Sequence, residues 1–174
     1  MTWAVWLTGP PASGKSTIAR ALVDALKERG VRAAVLESDA LRAVLTPEPT
    51  YEPDERDRFY AEVAALAALL VAQGIPVIVD ATAPRRAHRE RLRRAVREFL
   101  EVLVATPHEI CERRDPKGLY ARARVGDAPH LPGATESYEA PERPDVVVSG
   151  TASPEESARE IFRSLEARVA LDEN

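Results

Sequence analysis

Cysteine and long apolar runs are both scarce in this sequence. Its 174 residues include one cysteine, Cys111, so no internal disulfide can form, which fits a reducing compartment. The longest apolar run covers residues 63–72 and is shorter than the roughly 20 residues that a membrane-spanning helix needs. The first apolar segment also lacks the basic region that begins a signal peptide. These absences predict a cytoplasmic protein with neither a membrane span nor a signal peptide.

Lysine and aromatic residues are also few. The chain has three lysines beside 21 arginines, aromatic residues make up 5% of it, and its formal net charge is −4. Nucleic-acid binding usually needs a positive net charge, with aromatic side chains placed between the basic ones. The sequence therefore predicts no nucleic-acid partner. The Asn/Thr-Lys-x-Asp motif of base-specific GTPases is absent too, because the three lysines follow Gly14, Leu26 and Pro116.

Short apolar segments alternate with helical patterns along the chain. Strands this short, with apolar residues on both faces, are typical of a buried parallel sheet. The predicted strands cover residues 3–7, 33–36, 77–79, 100–104 and 146–148. The predicted helices between the strands cover residues 16–29, 54–73 and 86–97. This alternation predicts an α/β fold in three layers, a parallel sheet of about five strands with helices on both faces, in a single domain over residues 1–174.

Two helix starts and one long connection follow in the second half of the chain. Residues 106–109 (Thr-Pro-His-Glu) and 153–156 (Ser-Pro-Glu-Glu) each place a capping hydroxyl, a proline and a reciprocal glutamate at the spacing of a helix N-terminus. Between them, residues 115–144 are rich in Gly, Pro, Arg and Asp. A connection of that length inside a compact domain is usually a functional lid or a disordered linker. We expect a lid.

A phosphate-binding motif follows the first predicted strand. Residues 9–16 read Gly-Pro-Pro-Ala-Ser-Gly-Lys-Ser and match the P-loop pattern G-x-x-x-x-G-K-[ST] between a buried strand and a helix. In such a loop, backbone N–H groups and the helix N-terminus surround the β-phosphate, the lysine reaches the β- and γ-phosphates, and the serine hydroxyl binds Mg²⁺. The fold is therefore predicted to be that of the P-loop NTPases. The residues of this segment predicted to bind ATP are Gly9, Pro10, Pro11, Ala12, Ser13, Gly14, Lys15, Ser16 and Thr17.

Two aspartates lie where predicted strands end. Asp39 follows the second strand and Asp80 follows the third, so both are expected at the carboxyl edge, where open α/β sheets bind ligands. The third strand and Asp80 fit a Walker B pattern, which predicts that Asp80 and Ser16 hold Mg²⁺. Asp39 is placed to accept a proton from a substrate hydroxyl, so Asp39 and Lys15 are the predicted catalytic residues. The alternative for Asp39 is a cap on a helix over residues 40–45.

Arginines and histidines after the third strand are predicted to have mostly structural roles. Arg85, Arg86, Arg89 and Arg93 recur at helical spacing. Such a stripe usually faces solvent, which is the prediction for Arg89 and Arg93, whereas Arg86 is close enough to the strand end to meet an anionic substrate. The three histidines have no partners at ligand spacing, so they are predicted to be surface or packing residues, and no zinc site is expected.

The lid segment carries the most specific motif of the chain. Residues 111–124 read Cys-Glu-Arg-Arg-Asp-Pro-Lys-Gly-Leu-Tyr-Ala-Arg-Ala-Arg, and residues 138–142 read Tyr-Glu-Ala-Pro-Glu. With the P-loop, with Asp39 and Arg42, and with Pro84 and Arg86, these segments resemble the adenylylsulfate kinases over residues 3–150. The resemblance implies transfer of the γ-phosphoryl group of ATP to the 3′-hydroxyl of adenosine 5′-phosphosulfate, a small anionic nucleotide, with Mg²⁺ as cofactor.

The resemblance also implies roles for single residues. In the family, the positions of Arg42 and Arg56 bind the phosphosulfate substrate, the position of Tyr51 stacks its adenine, and Arg114 and nearby lid residues face ATP. The residues implied to bind substrate are Asp39, Arg42, Tyr51, Arg56, Arg86, Lys117, Gly118, Leu119 and Tyr120. A homodimer and an ATP sulfurylase are the candidate protein partners.

The sequence departs from the family pattern at several positions. Where the family has Asp-Gly-Asp, residues 37–39 of this chain read Glu-Ser-Asp. Phe59 stands where the family has a helix asparagine, and Leu131 stands where it has the second aromatic residue that stacks on adenine. Ala-Phe-Ile-Ser-Pro becomes residues 80–84, Asp-Ala-Thr-Ala-Pro, so the serine that is phosphorylated in some members is Ala83, and the segment resembles the D-x-T of other small P-loop kinases. Two alternatives stay open: a related kinase acting on another nucleotide conjugate or metabolite hydroxyl, and a nucleotide-binding module without catalysis.

Overall fold

The computed structural model describes residues 2–171, so Met1 and residues 172–174 of the predicted domain lie outside the described residues. The strands are β1 (Ala4–Thr8), β2 (Ala34–Glu37), β3 (Val77–Asp80), β4 (Phe99–Ala105) and β5 (Val146–Ser149). The helices are α1 (Lys15–Glu28), α2 (Ser38–Leu45), α3 (Pro53–Ala72), α4 (Arg86–Ala95), α5 (His108–Arg114), α6 (Leu119–Arg124) and α7 (Pro154–Leu171). Every predicted strand is present, with boundaries that differ by at most one residue at either end. Among residues 2–171, no helix is both long enough and apolar enough to cross a bilayer.

The five strands form one parallel sheet in the order β2-β3-β1-β4-β5. Leu7 of β1 pairs in register with Asp80 of β3, and Asp80 pairs with Glu37 of β2. Because all strands run in one direction, their carboxyl ends meet at a single edge, where the P-loop, α2 and the lid begin. The predicted three-layer α/β P-loop fold is confirmed.

Successive side chains of β1 serve two separate cores. Val5 and Leu7 pack with α1 and α7 on one face, in a cluster that includes Ile161. Trp6 packs with α3 and α4 on the other face, and its indole N–H donates to the Ala81 carbonyl at 3.0 Å. Burying both faces of every central strand is what the continuous apolar runs in the sequence predict.

Two of the predicted helix starts differ from the structure. Residue 107, not Thr106, precedes α5, and the Thr106 hydroxyl donates to the Ser13 carbonyl at 2.7 Å instead of capping the helix. Helix α2 begins at Ser38, so Asp39 lies inside its first turn and is not the cap. At α7 the prediction is confirmed, because the Glu156 N–H donates to the Ser153 hydroxyl at 3.1 Å.

Candidate active site

The P-loop is a tight turn that only small residues permit. Gly9 and Gly14 have φ values of 155° and 103°, and a Cβ on Gly9 would lie 2.8 Å from both the Ser13 hydroxyl oxygen and the Val104 carbonyl oxygen. The loop therefore folds back on itself against the end of β4, and α1 starts directly after Gly14. This shape directs backbone N–H groups and a helix N-terminus toward one point, as phosphate binding requires.

Lys15 lies inside the curve of this loop. Its ammonium donates to the carbonyl oxygens of Gly9 and Pro10, both at 2.9 Å, and to the Ser13 hydroxyl at 3.4 Å. Burial lowers the pKa of Lys15 to about 8, while the charges of Asp80 and Asp39 act in the opposite direction. The site thus holds a buried ammonium whose charged form a triphosphate would strongly favour.

Residues far along the chain support the loop from outside. Besides the Thr106 hydroxyl on Ser13, Gly150 lies so close that a Cβ on it would come 2.0 Å from the Ser13 carbonyl oxygen and 1.9 Å from the Thr106 hydroxyl oxygen. Sequence reasoning missed both residues. The signal available for Gly150 was a single glycine two residues after the last predicted strand.

We expect Gly150→Ala to weaken both the fold and ATP binding. The added methyl must displace the Ser13 backbone, and overpacking of this kind costs about 1–3 kcal/mol. Urea unfolding should show that loss, and the KM for ATP should rise. Gly74→Ala is the matched control, because Gly74 has a φ of 87° and open space around it, so the variant loses stability without touching the P-loop. An unchanged KM for ATP in Gly150→Ala would show that this packing against Ser13 does not affect ATP binding.

Asp80 and Ser16 are the predicted ligands of a cation. Asp80 ends β3, is buried to 4% exposure, and is the largest favourable charge acting on the pKa of Lys15. Within residues 2–171 no cluster of three His, Cys, Asp or Glu side chains could hold a metal ion. One hydroxyl and one carboxylate, with phosphate oxygens completing the shell, fit Mg²⁺, which keeps few protein ligands and prefers oxygen.

Asp39 faces the lid across the mouth of the site. Its carboxylate accepts a hydrogen bond from the ammonium of Lys117, and both side chains are more than half exposed. This hydrogen bond raises the pKa of Lys117, which therefore stays charged at neutral pH. The charges of Asp39 and Lys117 also act on Lys15, so the structure brings these three predicted site residues together.

Arg42 is buried between two rings. Its guanidinium lies 4.0 Å from the Phe59 ring centroid and 4.8 Å from that of Tyr51, and it donates to the Glu55 carboxylate at 2.9 Å. Burial raises the pKa of Glu55, but hydrogen bonds from Thr50 and Arg42 outweigh it, so the net shift is downward. A cavity of about 260 Å³ is lined by Asp39, Arg42, Ala43, Thr46, Pro47, Pro49 and Tyr51, which include three of the predicted substrate residues.

Arg56 occupies a second cavity. It is buried on α3, pairs with the Glu136 carboxylate of the lid, and donates to the His130 carbonyl at 2.7 Å. We call the surrounding space the Arg56 cavity; it measures about 120 Å³ and is lined by Pro53, Arg56, Pro84, Arg85, Glu136 and Ser137. Arg42 and Arg56, two of the three predicted substrate arginines, therefore have carboxylate partners that the sequence analysis did not foresee.

The lid packs on the P-loop through its own small core. Cys111, Tyr120 and Leu131 are buried together, and Leu119 packs against them. The Tyr120 hydroxyl donates to the Pro11 carbonyl at 2.9 Å, so this side chain stabilises the P-loop directly. Leu131 is part of this core and offers no exposed stacking surface at its position. The substrate contacts proposed for Leu119 and Tyr120 stay predictions.

Two further lid residues lie at the edges of the site. Gly118 precedes α6 with a φ of 64°, and its N–H donates to the Asp115 carbonyl at 3.0 Å. This hydrogen bond closes a turn over residues 115–118 that contains Lys117. The Arg114 guanidinium comes within 3.7 Å of the point where a Cβ on Gly14 would lie, so it borders the P-loop.

The arginine stripe of α4 is not the solvated surface that the sequence predicts. Arg89 is completely buried and Arg93 is half-buried against Glu101 and Asp145, because acidic partners from β4 and the following loop cover this face. Arg86 is half-exposed and pairs with Glu142 at 2.7 Å. Its predicted contact with substrate stays a prediction.

All three histidines have defined partners; the His108 ring lies 3.6 Å from the Glu112 carboxylate and 5.6 Å from the Tyr120 ring centroid. His88 is buried and is therefore a packing residue, one of the two roles predicted for the histidines. Its ring stacks on Tyr60 with 4.6 Å between the centroids, and it hydrogen-bonds Asp57 at 2.7 Å. Burial lowers the pKa of His88, opposed by Asp57. His130 lies in the lid and hydrogen-bonds Glu136 at 2.6 Å.

Comparison with known proteins places this architecture among relatives. The model of the adenylylsulphate kinase family matches residues 1–149. The adenylyl-sulfate kinase of Paraburkholderia xenovorans is 42% identical over 151 residues, which cover 86% of this chain and 84% of that protein. The structure of the Mycobacterium tuberculosis APS kinase in complex with AMPPNP and APS has 37% identity and a TM-score of 0.89, with 95% and 98% of the two chains covered.

More distant structures share the fold alone. A gluconokinase from Sinorhizobium meliloti is 24% identical with a TM-score of 0.67, over 98% of this chain and 94% of that one. The family match spans the P-loop, both aspartates and the lid, which are the parts that form the site described above. This chain belongs to the adenylylsulfate kinase family.

Proposed function

We propose that this chain is an ATP-dependent kinase that transfers the γ-phosphoryl group of ATP to the 3′-hydroxyl of adenosine 5′-phosphosulfate, giving 3′-phosphoadenosine 5′-phosphosulfate and ADP. The observation that carries the proposal is one edge of the sheet where a P-loop lysine, the Asp39–Lys117 pair and the buried Arg42 converge. Family membership supplies the acceptor.

Each residue of the site has a step to perform. The P-loop amides and Lys15 hold the β- and γ-phosphates, and little covalent chemistry is left for the protein beyond positioning and charge stabilisation. Asp39 accepts the proton of the attacking hydroxyl or orients it, from a position near the charge of Lys15. The lid carries Lys117 over the acceptor and brings Arg114 beside the P-loop.

Two buried arginines suit a phosphosulfate. Arg42 and Arg56 present guanidinium groups in separate cavities, and their carboxylate partners balance their charge within the protein. An anionic acceptor competes with those carboxylates, because guanidinium binds carboxylate and phosphate oxygens in the same planar manner. Tyr51 is 42% exposed in the cavity of Arg42, where its ring is available to an adenine.

Coupled ADP release tests the proposal. Purified protein is assayed with Mg²⁺ and saturating ATP, with and without adenosine 5′-phosphosulfate, and the product is identified by mass. We expect ADP release that depends on the acceptor and a product one phosphoryl group heavier. Absence of acceptor-dependent turnover would refute the kinase assignment and leave the module without catalysis as the explanation.

A related kinase with a different acceptor is the second candidate. Phe59 lies under Arg42, where the family has an asparagine, and Leu131 is buried in the lid core, where the family has a stacking aromatic. Both features reduce the polar and aromatic surface for a purine nucleotide. A panel of hydroxyl acceptors decides: if adenosine 5′-phosphosulfate exceeds every other acceptor in kcat/KM by a large factor, this candidate fails.

Mg²⁺ is proposed to bind at Ser16 and Asp80, where it would neutralise charge on the β- and γ-phosphates. The prediction is that Asp80→Asn raises the Mg²⁺ concentration for half-maximal velocity about tenfold, the equivalent of about 1.4 kcal/mol in binding, because the amide lacks the negative charge. The measurement is initial velocity against free Mg²⁺ at saturating ATP. An unchanged Mg²⁺ dependence would mean that Asp80 only balances Lys15.

The proposed protein partners have less support than the proposed reaction. A homodimer and an ATP sulfurylase partner, like the cytoplasmic location, stay predictions of the sequence. A hexameric APS kinase from Thiobacillus denitrificans, 25% identical with a TM-score of 0.70, is described as an assembly, and this chain covers 29% of that longer one. Size-exclusion chromatography with light scattering would measure the oligomeric state directly.

A further inference from the structure

A buried arginine joins the loop after β3 to the end of the lid. The Arg89 guanidinium is 1% exposed, and its two terminal nitrogens donate to different segments: Nη1 to the Ala83 carbonyl at 2.5 Å and Nη2 to the Glu139 carbonyl at 2.7 Å. The third nitrogen, Nε, donates to the Glu101 carboxylate at 2.6 Å, which neutralises the charge. One rigid fork thus fixes two backbone carbonyls that are 56 residues apart in the chain.

The segment that Arg89 holds has a strained backbone. Ala83 has a φ of 43°, a left-handed conformation that a non-glycine residue adopts only at a cost in energy. Burial raises the pKa of the nearby Tyr60, and the Ala83 backbone acts against that rise. The next residue, Pro84, accepts a hydrogen bond from the Glu139 N–H at 2.7 Å, so loop and lid touch directly beside the fork.

The same two segments form walls of the Arg56 cavity. Pro84 and Arg85 line it from the loop, and Glu136 and Ser137 line it from the lid, while Arg89 lies behind both and does not line the cavity. We infer that Arg89 is a positioning residue that sets the spacing of these two walls and thereby the acceptor affinity of the kinase. The kinetic part of this inference rests on the proposed function.

The lid also contacts the start of the P-loop near this point. The Tyr138 ring centroid lies 6.0 Å from the Arg89 guanidinium, and the Tyr138 hydroxyl hydrogen-bonds the Thr8 hydroxyl at 3.0 Å. Thr8 in turn donates to the Thr82 carbonyl at 2.6 Å. The two hydrogen bonds, from Tyr138 to Thr8 and from Thr8 to Thr82, do not involve Arg89 and hold the lid beside the P-loop, so loss of the Arg89 contacts should affect the acceptor and leave ATP binding largely unaffected.

Three variants test the inference. Arg89→Gln removes the fork, Arg89→Lys keeps a positive charge for Glu101 but cannot bridge both carbonyls, and Arg93→Gln is the matched control. Arg93 lies one turn further along α4 and pairs with Glu101 and Asp145, yet it bonds neither Ala83 nor Glu139. For each variant the KM of both substrates, kcat, the unfolding midpoint and hydrogen exchange of residues 137–140 are measured.

We expect Arg89→Gln to raise the KM for adenosine 5′-phosphosulfate about 10- to 100-fold, the scale of a 1 Å misplacement, with the KM for ATP changed less than about threefold. Arg89→Lys should recover the unfolding midpoint but not the acceptor KM, and Arg93→Gln should lower the midpoint without changing either KM. The inference would be overturned if Arg89→Lys recovered the acceptor KM as well as the unfolding midpoint. It would also be overturned if Arg89→Gln raised the KM for ATP and the KM for the acceptor equally.

Hydrogen exchange separates this inference from the proposed function. If the unchanged protein does not turn over the acceptor, the proposed function fails, but Arg89→Gln should still accelerate exchange of the Glu139 amide relative to Arg93→Gln. If turnover is normal and neither exchange nor acceptor KM responds to Arg89→Gln, the positioning role fails and the proposed function stands.

Discussion

Lys15→Met is expected to lower kcat/KM by about 10²- to 10³-fold, the scale measured when one preorganised donor to a developing charge is removed. The Lys15 ammonium already lies inside the P-loop, held by the Gly9 and Pro10 carbonyls, so it needs little reorganisation to meet the phosphates. Steady-state kinetics with both substrates measures the loss. Lys27→Met is the matched control, because Lys27 is an exposed lysine of the same helix. Full activity in Lys15→Met would refute the P-loop assignment.

The same variant has a signature in stability. The pKa of Lys15 is about 8 in the fold and 10.5 unfolded, so the fold disfavours the charged form and this penalty is fully present below pH 8. As the pH rises from 8 toward 10.5, the folded protein loses the proton first and the penalty disappears. The unfolding free energy of the unchanged protein should therefore rise relative to Lys15→Met, by roughly 2 kcal/mol at pH 9.5.

Urea titrations at pH 7 and pH 9.5 measure this difference. Groups that do not interact with Lys15 titrate alike in the two proteins, so the comparison isolates the Lys15 proton together with the charges coupled to it, such as the Cys111 thiol, whose pKa burial raises and Lys15 lowers. A difference that does not change with pH would mean that the ammonium is better solvated than its position in the loop indicates.

Most of the fold could be predicted because its signals are local. Each central strand is a short apolar run, and the P-loop between β1 and α1 is a contiguous motif, so the three layers and the parallel direction of the strands followed from rules about α/β folds, while strand order and register came from the structure. The start of α5 could not be predicted in the same way. Thr106 has the chemistry of a cap, but the Ser13 carbonyl, 93 residues away, competes for its hydroxyl.

The site residues also fall into those with a local sequence signal and those placed by contacts between distant segments. Lys15, Asp39 and Asp80 could be placed because each follows a strand and meets the others at one edge of the sheet. The burial of Arg89 could not, since the stripe on α4 was interpreted from one helix, while the partners that cover it come from β4 and from the end of the lid. The acids beside Arg42 and Arg56 were missed because pairing between separate elements, α2 with α3 and α3 with the lid, leaves no periodic pattern in the sequence.

Asp39→Asn is the second variant with a large expected effect. We propose that the carboxylate takes the hydroxyl proton, and general base catalysis contributes typically about 10²- to 10⁴-fold, so kcat should fall by at least about 100-fold with little change in the KM for ATP. Asp54→Asn is the matched control, because Asp54 is an exposed acid in the first turn of α3, as Asp39 is in that of α2.

The Asp39–Lys117 pair allows a sharper test, because Asp39 has two separable roles. If it serves only to hold the lid through Lys117, then Asp39→Asn, Lys117→Met and the double variant should all lose the same factor in kcat, since each breaks one contact. If Asp39 acts on the substrate hydroxyl, its loss should exceed that of Lys117→Met and persist when Lys117 is already methionine. We expect the second pattern, and equal losses in all three variants would assign the carboxylate to lid closure instead of proton transfer.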